Sequence, residues 1–263
     1  MARKRLDALL AERGLFESRT RAAAAVMAGG VRLGADGALA QKPGQMVADG
    51  VDLVVEEAPA FVSRGGVKLE NALEATGVDP AGRRCLDAGA STGGFTDCLL
   101  KRGAGHVVCV DVGYGELHWS LRGDERVSVM ERTNARALVP ADLPYAPELI
   151  VADLSFIALR KVLPALLAVS AANFDALLMV KPQFELGRER VGKGGVVRSA
   201  EDRRSALVAV AGSARELGAE VLGFASSGLP GPAGNLESFV HLGEGSHAAA
   251  REDIDAAARE VEP

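Results

Sequence analysis

The chain has 263 residues, 48% of them hydrophobic, which is enough for a full core in one large domain with a smaller one beside it. Its formal charge is −5, yet residues 1 to 32 hold seven Lys or Arg against three acids, or +4, which leaves −9 for the rest. That imbalance excludes a protein that coats nucleic acid through a uniformly basic surface, and leaves a local polyanion contact at the basic end or a solvated basic helix.

The first stretch, "RLDALLAERGLFESRTRAAAAVMAGGVRL", repeats apolar residues at helical spacing from Leu6 to Leu10. Gly14 then breaks the helix, and Ser18 caps a second one that ends at Gly29 and Gly30. In "VRLGADGALAQKPGQMVADGVDLVVEE" short β-branched runs alternate with Gly, Asp and Pro, as in a small twisted sheet. Residues 1–59 thus form a compact α+β module, with Arg3, Lys4, Arg5, Arg19 and Arg21 as candidate phosphate contacts. No signal peptide is expected, because "MARKRLDALLAERG" interrupts its leucines with charge. The segment "EEAPAFVSRGG" follows as a linker over residues 60–66, interrupted by Pro59 and loosened by Gly65 and Gly66.

From residue 67 to 245, strands alternate with helices: 84–88, 106–111, 127–130, 148–153, 174–181, 219–226 and 236–242. This pattern predicts an α/β fold with a doubly wound, Rossmann-like sheet, whose ligands gather at the carboxyl ends of the strands. The longest apolar stretch, "LPALLAVSAANFDALLMV", contains Pro164, Asn173 and Asp175 and reads as helix end, loop and strand, so no membrane span is expected. The tail, 246–263, reads as a surface helix or frayed end without chemistry. Cys85, Cys98 and Cys109 fall on strand, helix and strand as reduced thiols, which implies a cytoplasmic protein. The histidines (His106, His118, His241, His247) have no ligand spacing, so no metal is expected.

The stretch "CLDAGASTGGFTD", 85–97, is a strand running into glycines and then a helix, the geometry by which a backbone approaches a cofactor. Asp87 stands where a pyrophosphate would be repelled, and neither GxGxxG nor GxxxxGK[ST] fits. A nucleoside with a cationic amino-acid end suits both glycines and acid, which points to S-adenosylmethionine. Candidate contacts are Asp87, Gly89, Ser91, Gly93, Gly94, Phe95 and Thr96. Asp111, ending the next strand, suits the ribose hydroxyls, or else caps a turn; Arg132 and Asn134 could frame the adenine edge. Asp153 and Lys181 leave adjacent strands at this edge, as a structural ion pair or as chemistry. With Lys68 and Glu237 they make two lysines and two acids that could converge. A second ammonium beside Lys181 would ease proton release from it, and the acids would orient the amines, which suits deprotonation of an alcohol.

Taken together, the chain resembles the TlyA family of ribosomal RNA 2′-O-methyltransferases, also labelled hemolysin A, over nearly its whole length. Its first sixty residues resemble the S-four RNA-binding domain through "RLDALLAERG", "SRTRA", "AGGVRL" and "KPGQMVADGVDLVV". The rest resembles FtsJ-like methyltransferases through "VSRGGVKLENAL", "LDAGASTGGFTDCLL", "VKPQFELG" and "GKGGVVR". The resemblance implies a seven-stranded sheet whose last strand is antiparallel, and a K-D-K-E tetrad at Lys68, Asp153, Lys181 and Glu237. It also implies S-adenosylmethionine as cofactor, cytidines of small- and large-subunit ribosomal RNA as substrate, no metal, and a monomer. The chain departs from some relatives in its linker, where "APAFVSRGG" lacks an Arg and a Trp before the serine. Arg64, and Arg188, Arg190 and Lys193 in the glycine-rich loop "ELGRERVGKGGVVRS", are further candidate RNA contacts. That loop is expected to be mobile and excluded from the core, or a solvated connector. Two rivals stand beside the enzyme: a membrane-active hemolysin, which would need a lytic segment, and a non-catalytic RNA-binding protein.

Overall fold

The computed structural model describes residues 3–27, 30–34, 37–55, 60–244 and 250–262, and the chain divides into two compact units, Met1–Ala60 and Phe61–Pro263. In the first unit, β1 (Arg3–Arg5) leads into α1 (Leu6–Glu12), which buries Leu6, Leu9 and Leu10 along one stripe. Gly14 turns the chain at φ 70°, and the Ser18 hydroxyl accepts from the Arg21 amide at 3.2 Å to start α2 (Arg19–Met27). The expected helix end at Gly29 lies outside the described residues. Four short strands follow: β2 (Val31–Leu33), β3 (Ala38–Leu39), β4 (Met46–Ala48) and β5 (Leu53–Val55). β1 pairs with β4 and β2 lies between β3 and β5, all antiparallel, over a core that includes Leu6, Leu10, Val26, Val31 and Val47.

The second unit opens with α3 (Arg64–Thr76), so the glycines expected to loosen a linker lie in the first turn of a helix. They serve close packing instead: a Cβ on Gly66 would overlap the Phe61 ring, and one on Gly65 would meet Ser63 Oγ at 3.3 Å. Then come β6 (Arg84–Ala88), α4 (Gly94–Lys101), β7 (His106–Val110), α5 (Trp119–Arg122), β8 (Val127–Met130) and β9 (Leu149–Ala152). The chain continues through α6 (Leu163–Val169), β10 (Asp175–Val180), α7 (Pro182–Glu185), α8 (Ala200–Glu216), β11 (Glu220–Ser226), β12 (Ser238–Gly243) and α9 (Ile254–Val261).

One seven-stranded sheet runs β11-β12-β10-β9-β6-β7-β8, parallel except for β12, which is antiparallel to both its neighbours. It is the Rossmann-like methyltransferase sheet, with its last strand reversed. Each face is covered. Leu86, Val108, Ile150 and Leu178 pack under α6 and α8, while Cys85, Val107, Leu149 and Leu177 pack under α3 and α4. Each such fully buried Leu or Ile contributes roughly 1.5–3 kcal/mol. The tail does not fray: α9 buries Ala257 and Ala258, and Glu262 receives Arg203 Nε at 2.8 Å. Among the described residues no helix is long and apolar enough to cross a membrane.

The reversed strand decides where the chemistry collects. Asp153 and Lys181 directly follow the carboxyl ends of β9 and β10. Because Val180 lies opposite Ser238, the antiparallel β12 brings Glu237, the residue before its start, to that same edge.

Candidate active site

The turn after β6 is shaped by main chain. Gly89 has φ 83°, and a Cβ there would stand 2.5 Å from the Asp153 carbonyl oxygen. Gly93, at φ 92°, starts α4 with the side chains of Leu117 and Leu121 against its Cα. Gly94 packs against Ser63, and Ser91 takes a left-handed φ of 46°. Two of the expected contacts lie beneath the turn. Asp87 is fully buried and lines neither of the two cavities described below: its Oδ2 accepts from the Thr96 amide (3.0 Å) and hydroxyl (2.7 Å), so it pins the start of α4 from beneath. It points with Cys85 and Cys109 to the α4 side of the sheet, and its other oxygen, Oδ1, is buried without a hydrogen-bond partner among the described residues. Thr96, also fully buried, is its partner rather than a lining residue. Burial pushes the Asp87 carboxyl up to about 7, against the lowering effect of the Thr96 hydrogen bonds.

Beside this turn lies a cavity of about 370 Å³ lined by Gly89, Ser91, Asp111, Glu116, Asn134 and Phe156, with Val110, Ala135 and Ile157 as apolar walls. Asp111 Oδ2 accepts from Ser91 N (2.8 Å) and its Oδ1 from Gly113 N (2.7 Å), which holds the carboxylate at the cavity. Asn134 lines the same cavity while its Oδ1 accepts from Arg136 N at 3.0 Å. Arg132 instead stacks on exposed Tyr114, 4.4 Å from the ring centroid. A glycine cradle with no room for a Cβ, a carboxylate for a diol and apolar walls together fit a nucleoside-bearing cofactor such as S-adenosylmethionine.

A larger cavity, about 640 Å³, adjoins it and shares Gly89, Ser91, Asp153, Ser155 and Phe156 as wall. Lys68, Asp153, Lys181 and Glu237 all line it, with Gly94 and Phe95. Lys68, on the buried face of α3, is ion-paired with Glu237, and the two are 6% and 3% exposed. Lys181 is ion-paired with Asp153 and donates to Ser155 Oγ at 3.1 Å. The tetrad therefore converges on one cavity as two ion pairs, each ammonium bonded to its own carboxylate.

The expected RNA contacts divide. In the first unit, Lys4 pairs with Glu12 and Asp49, Arg21 with Glu17, and both Arg5 and Arg19 reach Asp7, whose carboxyl Arg5 holds down at about 2. Arg3 donates to the Met46 carbonyl at 3.0 Å. In the second unit, Arg64 lines the larger cavity and donates to the Pro230 carbonyl at 2.9 Å. In the glycine-rich loop, Arg190 pairs with Asp202, while Arg188 and Lys193 are exposed and, among the described residues, have no side-chain partner. The expectation that this loop stays out of the core is corrected at Val197, which is 2% exposed.

Residues 61–244 match the FtsJ-like methyltransferase family model. The chain is 53% identical over 245 residues to the 16S/23S rRNA (cytidine-2′-O)-methyltransferase TlyA of Mycobacterium tuberculosis, covering 92% of this chain and 91% of that one. The chain belongs to the TlyA family. Bacillus subtilis YqxC is 44% identical over 248 residues, 92% of this chain and 88% of its own. A solved structure from Streptococcus thermophilus that carries a hemolysin label matches with a TM-score of 0.73 and 38% identity, covering 99% and 96% of the two chains.

Within this TlyA-family chain, sequence reasoning missed Glu116, Ser155, Phe156, Phe184 and Asn235 as cavity walls. Phe156 is 92% exposed at φ 63° and lies 5.6 Å from the Phe184 ring. An aromatic three residues after a strand-ending acid was the available signal; Asn235 gave none.

Proposed function

We propose that the protein transfers the methyl group of S-adenosylmethionine to ribose 2′-hydroxyls of cytidine in 16S and 23S ribosomal RNA. The observation that carries the reading is the meeting of the two cavities at Gly89, Asp153 and Phe156, with both lysine–acid pairs on the acceptor side. The cofactor, when bound, supplies an activated methyl group. The protein contributes position: an acceptor hydroxyl held at about 3–3.5 Å in line needs no metal. Lys181, fixed by Asp153 and Ser155, orients the acceptor oxygen, and the proton that oxygen gives up passes to the Lys181–Asp153 pair. Lys68 and Glu237 line the same cavity. Asp111 and Asn134 receive the ribose and base of the cofactor, and the glycine turn seats it closely.

The basic first unit, read as an S-four-like domain, contacts phosphates and selects folded RNA, together with Arg64, Arg188 and Lys193. In this reading the protein acts as a monomer. Three buried free thiols fit the reducing cytoplasm, where ribosomal RNA is made. The test is mass mapping of 2′-O-methylation on ribosomal RNA from cells with and without this protein. Loss of cytidine methylation in both RNAs is expected; unchanged maps would overturn the reading.

A further inference from the structure

Asn235 is 1% exposed, yet it stands on the wall of the larger cavity two residues before Glu237. Its side-chain amide engages the main chain of the basic loop in both directions: Nδ2 donates to the Gly195 carbonyl and Oδ1 accepts from the Val197 amide, each at 2.8 Å. Its own carbonyl accepts from Gly231 N at 2.8 Å, closing a turn in which Gly234 N also donates to the Gly231 carbonyl at 2.9 Å. That turn rests on the tetrad acid, because a Cβ on Gly231 would stand 2.5 Å from Glu237 Oε1. One amide thus joins the basic loop to the turn that packs on Glu237, the partner of Lys68.

We infer that Asn235 is a positioning residue that locks the loop bearing Arg188 and Lys193 to the turn that packs on Glu237, so that RNA held by the loop sets the Lys68–Glu237 pair for transfer. The inference rests on the methyl-transfer reading above. Two buried amide atoms paired to main chain serve this purpose better than a hydrophobic side chain of similar size, which would leave the Val197 N–H and the Gly195 carbonyl unpaired.

Hydrogen exchange and kinetics together test it. In Asn235→Ala, the Val197 and Gly231 amides should both exchange faster, and kcat on ribosomal subunits should fall about 10- to 100-fold while cofactor affinity holds. Replacing Arg188 and Lys193 by Gln should lower kcat in the parent background and leave kcat unchanged in the Asn235→Ala background, where only KM rises. Should Asn235→Ala fail to fold, Gly231→Ala, which presses on Glu237 from the turn, must lower kcat at constant cofactor affinity. An undisturbed Gly231 amide, a parent-like kcat in either variant, or equal kcat losses from the loop substitutions in both backgrounds would overturn the lock. A parent that transfers no methyl would refute the methyl-transfer reading, while the exchange data would still decide whether the two segments are coupled.

Discussion

Where the cavity passes Gly89 its wall is main chain, held by left-handed glycines and by an aspartate buried beneath it; where it reaches Lys181 its wall is charge, held in two lysine–acid pairs. Both ends carry a strand-ending or near-ending acid, but the acids do opposite work. Asp87 lies within β6 and points down into the sheet's α4 face, whereas Asp153 lies one residue past β9 and stands on the cavity. The difference teaches that distance past the strand end, not the residue type, separates an acid pinned to a helix start from an acid that lines a cavity. Glycine geometry shapes the cofactor end and resists added volume; paired charge shapes the acceptor end and resists loss of either partner.

The sharpest way to break this contrast is at Lys181. Lys181→Ala should lower methyl transfer by at least about 100-fold, within the range for a positioned proton-transfer group, with cofactor affinity unchanged. Calorimetry alongside a tritium-transfer assay would read both, and a variant keeping most of its turnover would remove charge from the acceptor end. Next in size is the buried pair. Lys68→Met leaves the Glu237 carboxylate unpaired at 3% exposure and should cost about 3–5 kcal/mol in urea unfolding. Adding Glu237→Leu should restore much of the stability and none of the activity. If the double variant were active, the pair would be structural only.

At the cofactor end the informative variable is pH. The Asp87 carboxyl is raised by burial to about 7 when folded, from an ordinary value near 3.8. The folded state thus holds a proton between those values that the unfolded state releases. Its contribution is full below about pH 4 and is lost as pH rises through 7, at up to about 1.4 kcal/mol per pH unit. Asp87→Asn should flatten that slope and leave the protein relatively more stable than the parent at pH 8. A parent whose stability does not fall between pH 5 and 7, relative to the variant, would contradict the buried placement. The smallest effect is expected at the loop. Neutralising Arg188, Arg190 and Lys193 together should flatten the salt dependence of RNA binding, by roughly 0.7 to 0.9 in log–log slope for each phosphate that the loop then leaves unneutralised. Because Arg190 already serves Asp202, Arg188 and Lys193 should account for most of the change.

Much of the acceptor end was legible because apolar runs such as "ELIVAD" and "ALLMVK" stop at a charge, and a charge after a buried strand marks the sheet edge. The seven strands were likewise legible from those runs, each within two residues of its observed ends. The direction of Asp87 was not, since a sheet covered on both faces has no polar alternation from which to count parity. Gly65 and Gly66 were misread for a related reason: their use is close contact with Phe61 and Ser63, which spacing in sequence does not reveal. Val197 and Asn235 meet across 38 residues through a side-chain amide that imitates backbone, and no local pattern announces such a bond. The pairing of Lys68 with Glu237 also depends on the reversed β12, whose register only the folded sheet fixes.

The central claim is tested most directly by supplying the purified protein with methyl-labelled S-adenosylmethionine and ribosomal subunits from cells that lack it, then locating the label by mass mapping. The account predicts label on the ribose 2′-oxygen of cytidines, present with the parent and absent with Lys181→Ala. Label on a base, or equal labelling by the two proteins, would contradict it.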